Sequence, residues 1–211
     1  MKIVALSIFG ILLAASSAYA ELTPDVASIR ADWAKIKYQM PEDQRVEAFE
    51  NLVKRAHLVS QSKANAAEPL IWEAIALASL AGEDGGLGAL SKVKEARSLL
   101  ERAEKLDPNS LEGSVYTSLG SLYYQVPGWP IGFGDDDKAY EYLQKALAIN
   151  PHGIDSNYFY GDYLLDQGKY EEAIAAFEKV LHAPARPDRP IADAGRKKEA
   201  SDAIARARKY L

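Results

Sequence analysis

The side chains most able to do chemistry stand in arrangements that give them little to do. His57, His152 and His182 are the three histidines, and none has a His-x-x-x-His or Glu-x-x-His partner at metal-ligand spacing. Cysteine is absent, so a thiol nucleophile, a disulfide and a Cys-based zinc site are excluded. No serine sits in a Gly-x-Ser-x-Gly elbow, Gly-x-Gly-x-x-Gly is missing, and Gly132-Phe133-Gly134 is followed by no Lys-Ser/Thr pair. The run Asp135-Asp136-Asp137 lacks the alternating ligands, central glycine and distal glutamate of a calcium loop. It reads as the start of a helix, where carboxylates cap free N–H groups and face the positive end of the dipole. The sequence therefore predicts no catalytic residues, no metal and no cofactor, and binding becomes the function to look for.

Composition agrees with a folded binding protein. Of 211 residues, 48% are apolar and 26% charged, with a formal charge of −5. That is apolar enough to build a core and too acidic for a nucleic-acid binder. Lys2, the apolar stretch from Ile3 to Ala15, and Ala18-Tyr19-Ala20 read as a cleaved secretory signal over residues 1–20. The predicted location is the periplasm, with no membrane-spanning segment after cleavage. The charge is unevenly placed. Residues 186–211 carry eight Lys/Arg and four Asp/Glu, leaving the rest of the exported chain at −10. This basic tail is expected to cover the acidic end of the protein in cis rather than to meet lipid.

The elements that position these residues come from an internal repeat. Ala96, Leu100, Ala103 and Pro108 have offsets 0, 4, 7 and 12. Ala139, Leu143, Ala146 and Pro151 repeat them; Ala173, Phe177 and Val180 repeat the first three, with Pro184 one residue early. Offsets 0, 4 and 7 share one helical face, small residues there admit a neighbouring helix, and the proline ends the helix. Each of these helices follows another, carrying Trp72, Ile75 and Ala76; Leu119, Gly120 and Tyr123; or Tyr160, Gly161 and Leu164.

The pattern resembles the tetratricopeptide repeat, a 34-residue helix–turn–helix unit. The resemblance covers roughly residues 67–184 and implies an all-α, right-handed superhelical solenoid of about three units. Residues 21–66 are expected to form a helical hairpin, a degenerate further repeat, and residues 185–211 a capping helix with Ala200, Ala203, Ile204, Ala207 and Leu211 as its apolar stripe. The third unit is regular in length. The first two carry about eight and seven extra residues, predicted as loops: Gly82–Gly88, glycine-rich and mobile, and Val126–Asp135, stiffened by Pro127 and Pro130. Stacked units that touch only their neighbours predict an elongated molecule. GSVYTSLGSLYYQVPGWPIGFGD (113–135) and PARPDRPIADAGRKKE (184–199) look similar to exported proteobacterial tetratricopeptide proteins. More distantly the chain is similar to the T-component of TRAP-type solute transporters.

In that family the first helix of each unit lines a concave groove. If Trp72, Tyr116 and Asn157 are equivalent, the resemblance places Glu73 and Leu77, then Thr117, Ser121, Tyr124 and Gln125, then Asp155, Tyr158, Asp162 and Asp166 on the groove. The three acids and tyrosine of the third unit suit a basic or amine-bearing partner. Trp129 and Phe133 have two readings: they plug the gap between helices, or they wall a ligand pocket. In either case the Trp129 ring is predicted to lie buried near Tyr158 or Asp162. The implied function is a non-enzymatic periplasmic module that binds a peptide or protein in its groove. The alternative is a small-molecule accessory of a transport system, with its pocket under the Trp129 loop.

Overall fold

The computed structural model describes residues 22–211, so the predicted signal sequence lies outside the described residues. Nine α-helices and a terminal 3-10 turn are present among them. They are α1 (Pro24–Gln39), α2 (Glu42–Ser62), α3 (Ala67–Asp84), α4 (Gly86–Leu106), α5 (Ser110–Gln125), α6 (Asp136–Ile149), α7 (Ile154–Asp166), α8 (Tyr170–His182) and α9 (Pro190–Ala207). No described helix is long and apolar enough to cross a membrane.

The helices pair as four antiparallel hairpins, and the repeat explains how each closes. Ala96, Ala103, Ala139, Ala146 and Ala173 are fully buried, as are Leu143, Phe177 and Val180. Gly120 and Gly161 lie opposite the large residue at offset 4. A Cβ at Gly120 would stand 2.7 Å from Leu143 Cγ, and one at Gly161 3.0 Å from the Phe177 ring. Glycine on the first helix and a knob on the second thus set the interhelical distance. Asn157 stands where the family often has tryptophan. It is buried, and its Nδ2 donates to the Pro151 and Gly153 carbonyls at 2.9 Å, tying α7 to the turn before it.

The two insertions are built differently. Gly82–Gly88 is a helical corner rather than a long mobile loop: α3 runs to Asp84, and α4 begins at Gly86 after a single residue. Gly85 and Gly86 take φ of 62° and 64°, which a side chain would resist. The extra residues lengthen α3 and α4 to 18 and 21 residues, against 13 in each helix of the third unit. The second insertion is a true loop. At its end the Asp135 side chain accepts from Lys138 N at 3.1 Å, and Asp136 and Asp137 fill the first turn of α6, as read from the acidic run.

The solenoid is not open. Each odd-numbered helix packs on the next, and α9 returns to pack on α1, closing a ring of five inner helices with α2, α4, α6 and α8 outside. Contact between the first and last helices is not expected from a stack whose units touch only their neighbours. α9 buries Ala192, Ala200, Ala203, Ile204 and Ala207, whereas Leu211, assigned to the same stripe, lies beyond the helix and is exposed. Two cores result. One holds Trp33, Phe49 and Trp72 with Ala192; the other runs from Ala67 to Ile204.

Candidate functional site

The inner face, where a groove was expected, is occupied by side chains from α9 and the segment before it. Arg186 and Arg189 reach the Asp155 carboxylate at 2.8 and 3.2 Å, and Arg196 reaches it at 3.3 Å. Burial alone would raise the Asp155 pKa; the pull of Arg189, Arg186 and Arg196 outweighs it and holds the carboxyl well below its ordinary 3.8. The Arg196 guanidinium also stacks 4.2 Å from the Tyr158 ring and pairs with Glu199 at 2.7 Å. Arg30 of α1 pairs with Asp188 at 2.7 Å, and Tyr38 donates to Glu199 at 3.2 Å. The basic tail therefore does cover acidic residues in cis, and Asp155 and Tyr158 are committed to it.

Three other assigned groove residues also face elsewhere. Thr117 is buried, its hydroxyl turned back to the Gly113 carbonyl. Leu77 is in the core. Glu73 is 1% exposed, accepting from Ser60 and paired with His57 Nδ1 at 2.6 Å, where it joins α2 to α3. Ser121 is half-buried, with its hydroxyl donating to the Ser118 carbonyl at 2.9 Å.

Four assigned residues do come together. Tyr124 and Gln125 at the C-terminal end of α5 and Asp162 and Asp166 at that of α7 line, with Leu165, a cavity of about 380 Å³. α5 packs on α7, which brings these two ends side by side. Tyr124 donates to Asp162 Oδ2 at 2.7 Å and receives Gln125 Nε2 at 3.0 Å. The Tyr124 ring meets the edge of Tyr163 at 5.8 Å. Burial raises the Asp162 pKa and Asp166 adds to the rise, exceeding the opposing effects of Tyr124, Arg196 and Arg206. Burial, and then the Asp162 charge, push the Tyr124 phenol up as well, so it stays a neutral donor. The cavity thus offers carboxylate acceptors, which suit an ammonium or guanidinium group.

Trp129 and Phe133 separate. Phe133 is half-buried between the Tyr123 ring, edge-on at 5.7 Å, and the Arg97 guanidinium 4.3 Å from its centroid. It plugs the gap between helices, the first of its two readings. Trp129 is 90% exposed, which overturns the burial predicted beside Tyr158 or Asp162. The loop closes on its own backbone: Gly134 N donates to Pro127 O at 3.0 Å and Ile131 N to Gly128 O at 3.1 Å. That closure turns residue 129 outward. Neither Trp129 nor Phe133 lines either of the two cavities described, so the pocket under the loop is not supported by them.

A second cavity, about 560 Å³, lies between α2 and α4 and includes His57, Ser60, Glu73, Leu99 and Arg102. The Ser60 hydroxyl faces the Glu73 carboxylate and the His57 backbone carbonyl rather than the His57 ring, so no Ser–His nucleophile pair forms there. Sequence reasoning missed the grouping of His57, Ser60 and Glu73 because they stand 3 to 16 positions apart, in no motif.

Comparison with known proteins agrees with this architecture. The family model for the tetratricopeptide repeat matches residues 131–194. A crystal structure of TTC0263, a thermophilic tetratricopeptide protein of Thermus thermophilus, superposes with a TM-score of 0.57 at 14% identity. It covers 86% of this chain and 98% of its own. A structure of MamA from AMB-1 is 22% identical, with a TM-score of 0.48 over 89% of this chain and 98% of that one. No curated protein matches. The first likeness shows the fold, and the family match covers residues 131–194 of it.

Proposed function

We propose that this tetratricopeptide-repeat protein is an exported, periplasmic interaction module that holds a basic segment of a partner protein in the acidic cavity at the ends of α5 and α7. Its fold class serves as a scaffold for protein recognition and brings no chemistry of its own. The observation that carries the reading is the Tyr124–Asp162 pair beside exposed Asp166, with Leu165 as the apolar wall. A lysine or arginine side chain fits such a cavity by charge and by its apolar stem. The inner face serves as the seat of α9, so recognition occurs at the rim of the ring. The signal-like residues 1–20 support export.

The test is titration with a lysine peptide, GSGKGSGSG. Binding should be weak and salt-dependent, as expected of one partly exposed ion pair. Asp166→Lys should abolish it, and Asp155→Asn, inside the α9 seat, should leave it unchanged in protein that remains folded. Binding that persists in Asp166→Lys would rule the cavity out.

A further inference from the structure

The Val126–Asp135 loop is built to hold an apolar tip in water. Trp129 is 90% and Ile131 68% exposed, with Pro130 between them. The loop beneath is fixed. Beyond its internal hydrogen bonds, Asp135 N donates to Tyr123 O at 2.8 Å, and Phe133 is clamped between Arg97 and Tyr123. A Cβ on Gly134 would overlap the Val126 carbonyl, so the loop neck closes only with glycine there. A tryptophan on a fixed loop loses little backbone entropy on docking, and tryptophan is among the residue types enriched at interface hot spots.

The chain keeps the tip within reach of the acidic cavity. Gln125 lines that cavity, and Trp129 is four residues on, within about 14 Å even if the chain between were fully extended. Acids outnumber bases around it: Asp135, Asp136, Asp137, Asp162 and Asp166 stand against Lys138, Arg97 and Arg206. Asp136 and Asp137 are exposed just after the loop and close enough to Tyr163 to help raise its pKa after burial, and Asp166 is exposed on α7. Such a field repels anionic lipid headgroups and attracts basic protein segments.

We infer that the Trp129–Ile131 tip and the acidic cavity form one two-part docking surface for a protein segment in which a lysine or arginine stands beside large apolar residues. The cation enters between Asp162 and Asp166, and the apolar neighbours pack on Trp129 and Ile131. This rests on the cavity reading above, to which it adds the second contact and the sequence character of the partner.

Two peptides separate the parts: GSGKLFGSG, with lysine beside leucine and phenylalanine, and GSGKGSGSG, with lysine alone. Wild-type protein should bind the first about tenfold more tightly, the scale of one interfacial anchor. Trp129→Ser should bring the first peptide down to the level of the second and leave the second unchanged, with an unaltered melting curve. Asp166→Asn should weaken both. If Trp129→Ser binds GSGKLFGSG as wild type does, the two-part surface is wrong while the cavity reading stands. If Asp166→Asn changes neither peptide, the cavity reading fails and the inference with it; no binding of either peptide has the same meaning. Binding to phosphatidylcholine–phosphatidylglycerol vesicles that is lost in Trp129→Ser would assign the tip to lipid and overturn the inference.

Discussion

Tyr38 near the end of α1 and Gly195 in the middle of α9 are in direct contact, 157 residues apart in the chain: a Cβ on Gly195 would overlap the Tyr38 ring. This contact lets the last helix lie against the first. Gly195→Leu should therefore unseat α9 from α1, lowering stability by about 1–3 kcal/mol as overpacking does. Hydrogen exchange should rise across Pro190–Ala207 and not in α5 or α6. Unchanged exchange in α9 would mean that the contact does not hold the ring closed.

Closure also sets the size of the molecule. A compact chain of the described length has a radius of gyration of about 16 Å. Small-angle scattering of monomeric protein lacking residues 1–20 should return a value close to that. An open, extended solenoid would give a clearly larger one.

Asp155 should matter more than any surface acid. Removing it leaves Arg186, Arg189 and Arg196 without their shared carboxylate, and Asp155→Ala should cost about 3–5 kcal/mol, as for other broken ion pairs of low exposure. The pH dependence has a defined sign. The folded pKa lies below the ordinary 3.8, so the contribution is complete above that value and is lost as pH falls toward the lowered one. Acid titration of the wild type followed by circular dichroism should show this loss, and Asp155→Ala should lack it.

Asp162 behaves oppositely. Its pKa is raised in the fold, so its ionisation destabilises the protein as pH rises from 3.8 through the raised value. Binding of a cationic peptide needs the ionised form and should weaken on acidification at a higher pH than an ordinary aspartate would cause. In Asp162→Asn the pH profile should lose that step.

Among the tryptophans, Trp33 and Trp72 are buried and Trp129 is exposed. Iodide should quench one red-shifted component, and Trp129→Ser should remove that component without moving the melting temperature. Phe133→Ala should lower stability by about 1–3 kcal/mol, less than a fully buried phenylalanine would.

The repeat was legible in the sequence because it depends on short-range spacing. Small residues at Ala139, Ala146 and Ala173, and knobs at Leu143 and Phe177, mark helix faces wherever the hairpins sit. Ring closure was not, since Tyr38, Gly195 and Glu199 meet only through tertiary packing. The site was partly legible. Tyr124, Gln125, Asp162 and Asp166 lie at helix ends, where a small phase error leaves a residue on the same rim. Thr117, mid-helix, is instead buried, with its hydroxyl on the Gly113 carbonyl. Trp129 was misplaced because aromatic content argues for burial, whereas the loop's backbone hydrogen bonds, invisible to composition, turn it out.

Chemical-shift mapping tests the central claim most directly, namely that α9 fills the inner face and recognition takes place at the rim. With GSGKLFGSG added to ¹⁵N-labelled protein, the perturbed amides should cluster at Gln125, Trp129, Asp162, Leu165 and Asp166. Those of Tyr38, Tyr158 and Arg196 should stay in place. Perturbations centred on Tyr38, Tyr158 and Arg196, with the rim residues unmoved, would show a ligand entering the inner face and would contradict the account.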